Sequence, residues 1–291
     1  MYEAQPSETA ILTAAARAAH LVADREPFIF RDTLAARLLG DRAEEILGYH
    51  RTYGEHLILA GVRAQTTARA RYTEVRLAAL LRDGLEQYVI LGAGLDTFAY
   101  RAEPTVQVFE VDHPATQQWK RGLLTAAGIP HPQGLSFTPT NFETDDILLS
   151  LTATGFDPTE PALVSWLGVS MYLTTKAINS TFSAIARFAP GTELIMEYAL
   201  PPDLRDERAR AFAEFALPAA AERGEPWLTC FTPDALSAAL LKHGLRTTEH
   251  VRQADCIDPI LWHRSDALLP TDLCRLIRAT VPAAISTDDE G

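Results

Sequence analysis

Residues Gln87–Arg101, QYVILGAGLDTFAYR, followed by VQVFEVDHP at Val106–Pro114, constrain this chain more than any other stretch. They read as a buried strand at Tyr88–Leu91, a glycine turn, a short helix, and a second strand that ends in acid. An open α/β sheet builds a nucleotide pocket from that succession. Gly92 and Gly94 allow a sharp turn and leave room for a ligand against the backbone around Ala93. Asp112 falls 18 residues after Gly94, where a carboxylate can accept both hydroxyls of a ribose. The same aspartate also fits a helix N-cap ahead of Pro114.

Two adenosine cofactors compete for such a pocket. A dinucleotide asks for G-x-G-x-x-G, whose third glycine packs helix on strand beside the pyrophosphate. Here Thr97 holds that position, and Asp96 stands where phosphates would approach. Like charges at close range disfavour each other. S-adenosylmethionine (SAM) has no phosphate and carries a sulfonium cation, so the acidic turn favours SAM over NAD(P). An NAD(P)-dependent oxidoreductase remains the alternative enzyme class.

The length of 291 residues allows a large domain with an extension, and 47% hydrophobic residues supply a full core. A net charge of −12 argues against nucleic acid, which demands a basic stripe. No apolar run reaches the ~20 residues of a membrane span, and the N-terminus lacks a leader core. Cys230, Cys256 and Cys274 show no metal or disulfide spacing and read as buried free thiols. A cytoplasmic protein is the expectation. Residues 1–82 are helical in pattern, with Asp32 capping a helix at Leu34–Leu47 and a longer helix at Glu55–Leu81. Residues 83–291 alternate helix and strand, which predicts a mostly parallel sheet covered on both faces. Its strands are Tyr88–Leu91, Val106–Val111, Leu135–Thr138, Leu163–Val169, Leu194–Tyr198 and Leu245–Val251, with Cys274–Val281 open between strand and helix. An insert at about 201–226, with a helix at Leu204–Phe215 broken by Pro218, reads as a lid over the carboxyl edge of the sheet or equally as a plain packing helix.

With these motifs in place, the sequence resembles the leucine carboxyl methyltransferase family, and within it the bacterial class I SAM-dependent O-methyltransferase branch linked to natural-product pathways. The resemblance rests on RARYTE (Arg69–Glu74), QYVILGAGLDTFAYR (Gln87–Arg101), VFEVDHPATQQWK (Val108–Lys120), TNFETDD (Thr140–Asp146), GFDP (Gly155–Pro158), SWLGVSMYLT (Ser165–Thr174) and FTPDAL (Phe231–Leu236). It implies an α/β fold: a class I methyltransferase (Rossmann-like) core of seven strands, helices on both faces and an N-terminal helical extension. Carried over by position, Arg71 pairs with the methionine carboxylate of SAM, with Arg69 a neighbour able to exchange roles. Gly92, Ala93 and Gly94 lie beside the methionyl-ribose, Asp112 holds the ribose, and Asn141 and Phe142 flank adenine. Asn141 and Leu167 stand where members commonly carry aspartate and glutamate, and Thr33 follows Asp32 where a proline is usual. Those departures leave room for a non-catalytic binding protein on the same fold.

Further candidates come from position. Asp96 lies in the turn, His113 follows the ribose acid, and Glu110 shares the face of Asp112 by strand alternation. Tyr172 and Tyr198 end the fourth and fifth strands, where a small-molecule acceptor belongs. Arg205, Arg208 and Arg210 lie on the same insert and are available to orient an anionic acceptor, though a solvated helix face is the leading reading of them. None of the eight histidines, including His243, His250 and His263, forms a Ser/His/Asp or metal-spaced group, so no catalytic residue is assigned. A carboxylate acceptor is already anionic and needs no base; a phenol or alcohol does. A protein C-terminus is a further possible acceptor, and nothing here indicates an oligomeric state.

Overall fold

A computed structural model describes residues 7–101 and 105–283. The chain opens with four helices, α1 (Glu8–Ala23), α2 (Ala35–Leu38), α3 (Ala43–Tyr53) and α4 (Leu57–Arg82). Strand and helix then alternate: β1 (Gln87–Leu91), α5 (Phe98–Arg101), β2 (Gln107–Asp112), α6 (Pro114–Ala126), β3 (Leu135–Pro139), α7 (Ile147–Ala153), β4 (Ala162–Trp166), α8 (Thr175–Ile185) and β5 (Glu193–Ala199). The remainder is α9 (Glu207–Glu222), α10 (Pro233–Lys242), β6 (Arg246–Arg252) and β7 (Cys274–Thr280).

The seven strands form one sheet in the order β3-β2-β1-β4-β5-β7-β6. The first five pair in parallel, and β7 runs antiparallel between β5 and β6. Buried parallel strands read as continuous apolar runs because both faces are covered. In β1 that alternation is explicit. Val89 and Leu91 enter one core with Phe182 and Leu240, while Tyr88 and Ile90 enter another with Ala64, Ala68 and Leu77 of α4. The strand order reverses between β2 and β4 on either side of β1, so a crevice opens there beyond the carboxyl ends.

Capping fixes several helix starts. Thr174 accepts from the amide of Ala177, and Thr232 from that of Ala235 ahead of Pro233. The expected helix at Leu34–Leu47 is instead α2, a 3₁₀ turn and α3, because Gly40 adopts φ +56° and breaks the ladder. The fourth strand stops at Trp166, short of Val169, where the chain turns through Gly168 at φ +71°. The region Cys274–Val281, open between strand and helix, is the strand β7. Pro218 does not break α9; it lies on the exposed side, where water can serve the carbonyl freed by its missing N–H. Of the two readings of the insert, α9 itself follows the packing one, while Gly224, Glu225 and Pro226 at the end of the insert line a cavity at the carboxyl edge of the sheet. The helix packs on α4, with Phe212 against Gly61, where an added Cβ would meet the ring at 3.0 Å. Cys256 and Cys274 are buried as expected, but Cys230 is exposed, its sulfur 3.9 Å from Arg205 Nη2. No helix among the described residues is long and apolar enough to cross a membrane.

Candidate active site

A cavity of about 600 Å³ opens at the carboxyl ends of β1, β2 and β4. Its floor is the glycine turn. Gly92 has φ +70°, and a Cβ there would sit 2.2 Å from Val169; Gly94 has φ +47°, and its Cβ would meet Ala10 of α1 at 3.2 Å. Only glycine satisfies both the backbone angle and the close approach. Asp112 fixes this turn, its two oxygens accepting from the amides of Gly94 (2.5 Å) and His113 (2.6 Å). Burial raises its pKa, and those two hydrogen bonds oppose the rise. It is therefore not the cap of α6; His113 is, its Nδ1 accepting from Ala115 at 3.3 Å. Each carboxylate oxygen of Asp112 keeps a lone pair for a further donor.

The other predicted residues of this wall gather here. Ala93, Asp96, His113, Asn141 and Phe142 line the cavity. Asp96 accepts from the amide of Phe98 at 2.7 Å, holding the turn. Asn141 Oδ1 accepts from the amide of Glu143 at 3.0 Å, and Phe142 stacks toward Trp166 at 6.3 Å. Leu167 also lines the cavity, so the position expected to bear an acid presents an apolar wall.

Four expectations are corrected. Arg71 does not reach the cavity; its guanidinium donates to the Ile29 carbonyl at 3.0 Å. Arg69 does reach it, because two helical steps turn a side chain by about 200°. Its guanidinium lies over Gly168, where a Cβ would come within 2.7 Å, and pairs with Glu197 of β5. Tyr172 lines the cavity but Tyr198 does not. Strand alternation sends Glu197 toward α4 and Tyr198 into the opposite core, where its hydroxyl meets His250 Nδ1 at 2.8 Å. Glu110 is closed off in an ion pair with Lys120 at 2.6 Å, and burial, opposed by Lys120, pushes it up to about 7. Arg205, Arg208 and Arg210 all lie away from the cavity; Arg205 is buried and donates to the Leu200 carbonyl at 2.9 Å.

Three elements escaped sequence reasoning. Arg17 of α1 lines the cavity, donates to Leu95 O at 2.6 Å and pairs with Asp32 at 2.8 Å. Asp32 also accepts from Thr97 and from the amides of Leu34 and Ala35, so the expected cap is also an anchor. Burial acts to raise its pKa, but Arg17 and Thr97 prevail and hold it below the usual value. The cover is α1 with the loop after α9: Thr9 N and Oγ1 both donate to Glu225 Oε2, at 3.0 and 2.5 Å. On the far rim Glu143 accepts from Thr174 N and Oγ1 at 3.0 and 2.7 Å. The repeated pairing of threonine with a distant glutamate has no local sequence signal. His113 is the sole histidine lining the cavity among the described residues, and no cluster there could hold a metal ion. His243 bridges Ser183 and Asn179, and His250 bridges Tyr198 and Ser237, as packing contacts elsewhere. The cavity is roomy enough for a nucleoside-sized ligand, and its acidic lining (Asp96, Asp112, Glu143, Glu225) suits a cationic one.

The chain is similar to known proteins. The family model for leucine carboxyl methyltransferase matches residues 10–186. A Bacillus subtilis (strain 168) protein, YktD, provisionally named an S-adenosyl-L-methionine-dependent methyltransferase, is 33% identical over 96% of this chain and 99% of its own length. A Mycobacterium sp. (strain KMS) protein with the same provisional name is 38% identical, over 46% of this chain and 45% of its own length. A crystal structure from Thermobifida fusca, titled provisionally as a methyltransferase, shares the fold at TM-score 0.58 and 20% identity, covering 85% of this chain and 92% of that one.

Proposed function

The chain belongs to the leucine carboxyl methyltransferase family and is a SAM-dependent methyltransferase, and on that premise we propose that it methylates an oxygen, carboxylate or hydroxyl, of a small molecule. The observation that carries this reading is Asp112, pinned by the amides of Gly94 and His113 at the crevice beside β1. On this reading Asp112 accepts from the ribose hydroxyls. Gly92, Ala93 and Gly94 give backbone contact, Asp96 faces the sulfonium side, and Asn141 and Phe142 flank the base with His113 at the ribose edge. Arg69, not Arg71, takes the methionine carboxylate, because it alone of the two faces the cavity. Arg17 supports the turn through Leu95.

SAM supplies the chemistry as an activated methyl group on sulfonium. The protein aligns the acceptor and excludes water. Tyr172, whose hydroxyl burial keeps protonated, lies on the acceptor side with Leu173 and Leu228. Calorimetric titration with SAM, its demethylated product and NAD tests the reading. SAM and the product bind and NAD does not; binding of NAD alone overturns it.

A further inference from the structure

Resting on the methyl-transfer reading of this cavity, we propose that the acceptor is an apolar molecule bearing a neutral hydroxyl rather than a carboxylate, and that Glu225 receives its proton. The donor side is the glycine turn, Asp112 and the loop at Asn141. The opposite wall combines Thr9 of α1, Tyr172, and Glu225, Pro226 and Leu228 of the loop after α9. Tyr172 stands edge-on to Trp227, ring centroids 6.4 Å apart, and Leu228 is 57% exposed at the rim. The polar groups of this wall are Thr9, Tyr172 and Glu225, beside the apolar Pro226 and Leu228. Thr9 occupies Glu225 Oε2 through both its amide and its hydroxyl. That contact fixes the side chain and, among the described residues, leaves Oε1 without a donor.

Charge separates the two acceptor classes. Of the two arginines that line the cavity, Arg69 is shared between Glu197 and, on the reading above, the methionine carboxylate, and Arg17 is paired with Asp32; both of these protein carboxylates are almost out of solvent. His113 spends Nδ1 as an acceptor for Ala115. Among the described residues, no further uncompensated cation therefore lines the cavity for an anionic acceptor, and the acceptor wall itself presents a carboxylate. A second carboxylate against Glu225 is repelled, whereas a hydroxyl donates to it. The whole-chain charge of −12 likewise steers anions away. Tyr172 does not compete as the base, since burial raises its pKa. In the transfer, the acceptor O–H proton passes to Glu225 Oε1 and the acceptor oxygen bonds to the methyl carbon. The C–S bond breaks with its electron pair left on sulfur, and Glu225 returns the proton to water.

The test uses full-length protein saturated with S-adenosylhomocysteine and titrated with 4-ethylphenol and 4-ethylbenzoate, matched in shape. The wild type binds the phenol at least tenfold more tightly. E225Q keeps an acceptor oxygen for Thr9 but removes the charge, and brings the two ligands within threefold. Equal or tighter binding of ethylbenzoate, binding of neither ligand, or an unchanged preference in E225Q overturns the assignment of Glu225. Failure of S-adenosylhomocysteine itself to bind is a separate result, and it removes the methyl-transfer reading together with this one.

Discussion

Asp112 is a residue whose geometry is set twice, once by the turn it locks and once by the strand it ends. Removing its carboxylate in D112A frees the amides of Gly94 and His113 and deletes the acceptor for a ribose. SAM affinity is expected to fall by about 2 kcal/mol, roughly 30-fold, measured by calorimetry. Glu110, two residues earlier, makes a different prediction. Its folded pKa, raised by burial to about 7, lies above that of an unfolded glutamate near 4.5. Its contribution to stability is therefore complete below about pH 4.5 and is lost as pH rises through about 7. Replacing both partners with apolar residues, E110L with K120M, should flatten the unfolding free energy between pH 5 and 8, followed by urea titration. Asp112 was legible in the sequence because a strand and a glycine turn bracket it. Glu197 was not, because a glutamate in a buried strand gives no sign of the arginine on a helix that it meets.

At the scale of elements, the strands were legible and the faces of helices were not. Apolar runs locate β1, β2, β4 and β5 to within a few residues, since burial on both faces leaves little room for polar alternation, whereas the edge strand β3 is only partly buried. Helix α4 shows the opposite case. Its 26 residues carry arginines at 63, 69, 71, 76 and 82, and no simple apolar stripe fixes which side faces the crevice. The phase is set by tertiary partners, Glu197 for Arg69 and Ile29 for Arg71. R69A should weaken SAM binding by about 10- to 100-fold through a lost charge-assisted hydrogen bond. R71A should leave it within about twofold while costing about 1 kcal/mol of stability, read by urea melts. The cover has a similar cause: the Ala-rich α1, without obvious chemistry, supplies Thr9, Ala10 and Arg17 to the cavity, and the insert after β5 contributes only its end, Gly224–Pro226.

Across the whole molecule, the site draws on segments from one end of the described chain to the region beyond α9. Thr9 and Glu225 are 216 residues apart in sequence and share one hydrogen-bonded contact. Ligand binding should therefore slow amide exchange in two remote stretches together, α1 and residues 224–228, while α10 and β6 stay unchanged. Hydrogen–deuterium exchange with and without S-adenosylhomocysteine checks this; protection confined to the glycine turn contradicts it. The place of β7 bears on how such a molecule is made. Because β7 is wedged between β5 and β6, both of which precede it in the chain, β6 has no neighbour and β5 keeps a bare edge until synthesis has passed Thr280. A nascent chain stalled before that point displays two unsatisfied strand borders at once, so termination ahead of Thr280 should yield an aggregating product rather than a shortened enzyme.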